Sequence, residues 1–118
     1  MSDVMNPVSV EAAIRECAAR IANGVKVCSE RYAEFLRAEN TYERAYAVAY
    51  MQHDGPAHEK KNGAVLATVG EKDALDAADA AYRFADRQAR ALDSELRAWQ
   101  SVGASVRSMY AVAGRGES

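Results

Sequence analysis

Two long stretches of this sequence place apolar or small residues at steps of four and three, and that spacing leaves little choice of fold. In the first, the pattern runs through Val10, Ile14, Cys17, Ile21, Val25, Cys28, Tyr32, Phe35, Glu39, Tyr42, Tyr46 and Ala49. In the second it runs through Leu75, Ala78, Tyr82, Ala85, Ala89, Leu92, Leu96, Trp99, Gly103, Val106, Tyr110 and Ala113. A 3-4 repeat held this long keeps one helix face against a partner and is the pattern of left-handed bundle packing. It predicts two helices of roughly 40 residues, about 60 Å each. Folded back on one another they make an all-α, antiparallel helical hairpin.

End signals agree with the repeat. Asn6, Pro7 and Ser9 supply N-terminal capping chemistry for the first helix. "HDGP" ends it, because Gly55 and Pro56 do not readily continue a helix. Asn23-Gly24 is a soft spot, but the repeat passes through in register and predicts continuity. Pro56 opens a short capping helix or turn that Asn62-Gly63 interrupts. "TVGE" (Thr68 to Glu71) reads as a capping box opening the last helix, with Glu71, Asp73 and Asp76 near its positive end. Gly114 and Gly116 close it. The expected elements are 8–53, 56–67 and 69–113, within one helical domain spanning 1–118.

Composition sets the depth of the core. Hydrophobic residues make up 49% of the chain, yet about a fifth of it is alanine, with only two Phe and one Trp. Burial energy scales with apolar area, so a lone hairpin of this kind has a thin core. A second copy, giving a homodimeric four-helix bundle or a larger helical oligomer, would complete it.

Tyr42, Tyr46 and Tyr50 recur every four residues and form one aromatic stripe. As core, they would fill space left by Ala77, Ala78, Ala80, Ala81 and Ala85 on the returning helix. As a site, they would stack bases or line a ligand pocket. The packing reading is preferred, with Tyr42, Tyr46, Tyr82 and Trp99 as seam aromatics. Glu39 is the one charge in the first seam: it snorkels, meets Arg83 or Arg87, or marks register as a buried polar group.

The formal charge of −2 lacks the basic excess usual in a non-specific DNA binder. Asp79–Arg83, Asp86–Arg90 and Asp93–Arg97 repeat an acid-to-base i, i+4 pair every seven residues, the arrangement of a self-neutralised solvated face. Arg87 and Arg107 have no such partner. Candidate phosphate or partner contacts are therefore Arg87, Arg90, Arg97 and Arg107, with Lys60 and Lys61 from "HEKKNG".

Other chemistry finds little support. Cys17 and Cys28, eleven residues apart on one helix, would be about 16 Å apart, too far for a disulfide. His53, Asp54, His58 and Glu59 match no helical zinc spacing, and a polar turn explains them. No phosphate loop, nucleophile elbow or forced carboxylate pair is present. The expectation is a non-enzyme with no catalytic residues, no cofactor and no metal. No 18-residue apolar run predicts a membrane span, and "MSDVMNPVSV" lacks the basic and apolar regions of a signal peptide. A cytoplasmic protein with no membrane partner is expected.

"TYERAYAVAYMQHDGPAHEKKNGAVLATV" followed by "ADAAYRFADRQARALDSELRAWQSVGASVRSMY" resembles small all-helical proteins of poorly characterised function from bacteriophages of Gram-positive, especially actinobacterial, hosts. The likeness covers roughly residues 40–110. It implies a companion of phage replication, recombination or early host takeover, acting in the host cytoplasm, and it carries over no catalytic residues. The secreted helical hairpins with a Trp-x-Gly turn are disfavoured, since Gln100 and Ser101 follow Trp99 inside the predicted helix. Two functions remain: a helical interaction protein acting on a host or phage protein, or a DNA-associated accessory of phage replication or recombination. A virion-assembly or chaperone role is the fainter third.

Overall fold

The computed structural model describes residues 6–116, which form three helices and no strand. These are α1 (Pro7–Gln52), α2 (Ala57–Ala67) and α3 (Val69–Gly116). The long helices α1 and α3 pack against each other, with the short α2 between them in sequence, as the repeat predicts. Residues 1–5, on which the signal-peptide reading partly rests, lie outside the described residues.

α1 starts where the capping residues stand. The Asn6 side-chain oxygen accepts the Ser9 N–H at 2.9 Å, and the Asn6 carbonyl accepts the Val10 N–H at 3.1 Å. Pro7, whose missing N–H would be an orphan there anyway, takes the first helical position. The helix passes through Asn23-Gly24 unbroken. It ends at Gln52, and Gly55 takes a φ of 118°, a left-handed conformation that a side chain would resist.

Two features of the turn region differ from expectation. Asn62-Gly63 does not interrupt α2, which runs through to Ala67. Nor does Thr68 act as the first half of a capping box. Its hydroxyl donates backwards, to the Ala64 carbonyl at 2.7 Å, and so satisfies an orphan acceptor at the end of α2. The Thr68 carbonyl meanwhile accepts the Lys72 N–H at 2.9 Å and opens α3. One buried residue therefore serves two helix ends, and nothing else separates them. α3 then continues past Ala113 and Gly114, three residues beyond the expected end.

The chain divides into two compact units: residues up to Lys26 with those from Arg87 onward, and Val27–Asp86. In the first, a methyl group on Gly103 would lie 3.2 Å from Val10 Cγ1, one on Gly24 would lie 3.9 Å from Leu92, and Cys17 meets Leu92 and Glu95. Val10, Cys17 and Val106 are buried there. On α1 this part of the seam departs from the predicted one at one step. Val25 is 65% exposed, and Gly24 takes its place beside Leu92. Past Val106 the second seam opens, and Tyr110 and Ala113 are exposed. Val10, three residues from the start of α1, already sits beside Gly103, so α1 has no further turns to cover them.

In the second unit Tyr32, Phe35 and Tyr82 form one aromatic cluster, with ring centroids 5.1 to 6.4 Å apart. Ala64, Thr68 and Ala85 are its buried residues. As numbers rise along α1 from Tyr32 to Tyr42, their partners fall along α3 from Tyr82 to Lys72, an antiparallel register.

Candidate interaction site

The tyrosine stripe is real, but its surroundings are not the expected ones. Tyr42, Tyr46 and Tyr50 follow one another along α1 with ring centroids 6.0 and 6.3 Å apart, the first pair tilted and the second stacked, all half-buried. Lys72 Nζ sits 5.6 Å from the Tyr42 ring centroid and Lys60 Nζ 5.8 Å from that of Tyr50. Both are cation–π contacts at partly exposed sites, worth about 0.5–1 kcal/mol each. The hairpin register sets Tyr42 beside the first turn of α3. The alanine-rich stretch instead lies across from Tyr32 and Phe35, through Tyr82. Ala85 is buried and Ala78 and Ala81 half-buried, whereas Ala77 and Ala80 are exposed and fill no seam.

The charged candidates separate in the same way. Asp79 holds Arg83 at 2.9 Å and Asp93 holds Arg97 at 2.8 Å, both with i, i+4 spacing on open surface. Asp86 and Arg90 also have partners. Among the described residues Arg87 and Arg107 are exposed and lack an ion pair. Arg107 lies over Gly103, its Nη1 3.5 Å from where a Cβ would stand. Glu39 is half-buried and Arg83 is turned to Asp79, so of the alternatives for Glu39 the pair with Arg83 is not formed. Lys60 and Lys61 belong to the helix α2, not to a turn, and Lys60 is spent on Tyr50. Trp99 is half-buried.

Both cysteines are free. The Cys17 thiol donates to the Leu92 carbonyl at 3.3 Å and to Glu95 Oε2 at 3.4 Å, and Arg20 holds the same carboxylate oxygen at 3.3 Å. Burial, then the hydrogen bond and the negative charge of Glu95, raise the Cys17 thiol above its ordinary value, with Arg20 opposing. That makes Cys17 a poor nucleophile held in a packing role. In the turn, His53 Nδ1 lies 2.8 Å from the Asp54 carbonyl, a contact that requires the proton on Nδ1. No group of three or more His, Cys, Asp or Glu side chains converges as metal ligands among the described residues. None of the described helices is long and apolar enough to cross a membrane.

What the seam pattern does not reveal is the apolar surface left outside it. Val65, Leu66 and Val69 flank Thr68 and are exposed, Leu66 at 76%, with Val48 and Met51 exposed at the end of α1. Phe84 is 63% exposed on α3. In the same unit an open groove of about 370 Å³ runs between α1 and α3, lined by Ala38, Thr41, Gly70, Glu71 and Ala74. A signal existed for this surface: Gly70, Ala74, Ala77, Ala81 and Phe84 keep their own 4-3-4-3 spacing beside the main seam. No protein-family model matches this sequence, and no curated protein or solved structure matches it either.

Proposed function

We propose that this chain is a non-enzymatic, phage-encoded helical interaction protein. It acts in the host cytoplasm by binding a host or phage protein through its helix faces, as an inhibitor, adaptor or anti-defence factor. The supporting observation is the run of exposed aliphatic side chains Val65, Leu66 and Val69 about the α2–α3 junction. Contiguous apolar surface of that kind is costly in water and suits a helix or groove on a partner. The phage assignment rests on the sequence resemblance over residues 40–110.

A DNA-associated role in phage replication or recombination is the second reading, favoured by Arg87, Arg107 and Lys61, exposed cations without an acidic partner among the described residues. Against it, Asp93 neutralises Arg97 and the Tyr50 ring engages Lys60.

Affinity capture from actinobacterial lysate, with and without nuclease, separates the two. One host protein retained after nuclease and lost with Leu66→Asp supports the interaction reading. Recovery that disappears with nuclease, and weakens steeply with salt, supports the DNA reading.

A further inference from the structure

We infer that the groove between α1 and α3 in the Val27–Asp86 unit receives Phe84 of a second copy of this chain, the two α3 helices crossing antiparallel about a two-fold axis. This rests on the reading of the chain as a helix-face interaction protein and names one of its partners, itself.

The geometry is self-complementary. Along α3 a stripe that is exposed except for half-buried Ala81 reads small, small, small, small, large: Gly70, Ala74, Ala77, Ala81, Phe84. A two-fold axis midway between Ala77 and Ala81 sets Ala77 of one copy against Ala81 of the other. The same operation sets Phe84 of each copy against Ala74 of the other, on the wall of the groove. Ala74 and Phe84 are ten residues apart, about 15 Å on one helix. Two rings and two grooves thus engage at once, as a closed two-fold interface demands. Alanines at the crossing let the helices approach closely, and Ala38 and Gly70 leave the groove open where the ring would enter.

Charge reverses across the same axis. Glu71, Asp73 and Asp76 precede it, Asp79 lies level with it, and Arg83, Arg87 and Arg90 follow it, with Lys72 and Asp86 the exceptions. Antiparallel pairing lays the acidic half of one helix along the basic half of the other, whereas parallel pairing would set like charges together. Asp73 and Arg87 are both exposed and without an ion pair among the described residues, and this register places Asp73 of one copy two residues, about 3 Å along the helix, from the level of Arg87 of the other.

Sedimentation equilibrium across the micromolar range tests the pairing. The wild-type chain is expected as a dimer. Phe84→Ser should be monomeric with unchanged helical circular dichroism, because the ring is mostly exposed in the single chain. Asp73→Arg and Arg87→Asp should each weaken the dimer about tenfold, and the two together should restore it. A monomeric wild type would overturn the proposal, as would a dimer indifferent to Phe84→Ser and to the charge exchange. If Phe84→Ser loses helix, the charge exchange alone decides. A monomeric variant that still captures a host protein leaves the proposed function intact, and a wild-type dimer that captures nothing counts against that function only.

Discussion

The imidazole of His53 lies so close over Gly63 that a methyl group there would overlap ring atom Cδ2. This contact explains a glycine in the middle of α2, where intrinsic propensity disfavours it by about 1 kcal/mol relative to alanine. Gly63→Ala should therefore stabilise the protein little while His53 is present. In a His53→Ala background the same change should stabilise by about 1 kcal/mol. Thermal denaturation of the four proteins gives the coupling, expected at about 0.5–1 kcal/mol. A coupling of zero would mean that the ring merely rests there.

Gly24 and Gly103 should respond oppositely to alanine. At Gly24 the new methyl would meet Leu92 at 3.9 Å, ordinary contact distance, so Gly24→Ala should raise stability by about 1 kcal/mol through helix propensity. At Gly103 it would stand 3.2 Å from Val10, which is fully buried and would have to give by a few tenths of an ångström. Overpacking of that kind costs roughly 1–3 kcal/mol, so Gly103→Ala should be neutral to destabilising by up to about 2 kcal/mol. Urea titration of both variants checks the ordering, and the idea fails if Gly103→Ala is the more stable.

Thr68→Val keeps the shape of the side chain but removes the donor to the Ala64 carbonyl. The buried acceptor is then left without its partner, at a cost of about 1–3 kcal/mol. Since Thr68 alone joins α2 to α3, hydrogen exchange should quicken first in the last turn of α2. Unchanged exchange there would contradict the double role assigned to this residue.

Cys17 supplies a pH dependence whose sign is fixed. Its thiol is raised in the folded state by burial and then by Glu95, so the fold favours the protonated form. The resulting stability is present in full below the ordinary thiol value. It declines as pH rises from there through the raised folded value, because only the unfolded chain releases the proton easily. Denaturation at neutral and at alkaline pH should show wild type losing more stability than Cys17→Ser. At a single mildly alkaline pH, Cys28, which is half-buried, should react with iodoacetamide before Cys17. Equal rates would remove the basis for this prediction.

The helical hairpin was legible in the sequence because its seam is written in side-chain size at a spacing only helices share. Val25 drew the pattern to itself because it is apolar, while the position that meets Leu92 is Gly24, which has no side chain to signal burial. Thr68 matched a capping box in type and spacing, but hydroxyl direction depends on where α2 ends. The partners of the tyrosine stripe were misplaced because register follows from the length of the connection. A helix that continues through Gly63 and a one-residue joint together set Tyr42 beside Lys72. Arg87 and Arg107, which lack an i, i+4 acidic partner in the sequence, also form no ion pair among the described residues. Phe84 is hidden by the main seam repeat because it belongs to a second 4-3-4-3 spacing on the same helix.

The division of aromatic residues has a spectroscopic consequence. Trp99, the sole tryptophan, belongs to the unit built from the two chain ends, while Tyr32, Tyr42, Tyr46, Tyr50 and Tyr82 all belong to Val27–Asp86. Indole emission therefore reports on one unit, and the near-ultraviolet dichroism of the tyrosines reports mainly on the other. Without any label, the wild-type chain shows whether its halves melt together: coincident curves mean a single cooperative transition, and separated ones mean that each half keeps its own midpoint.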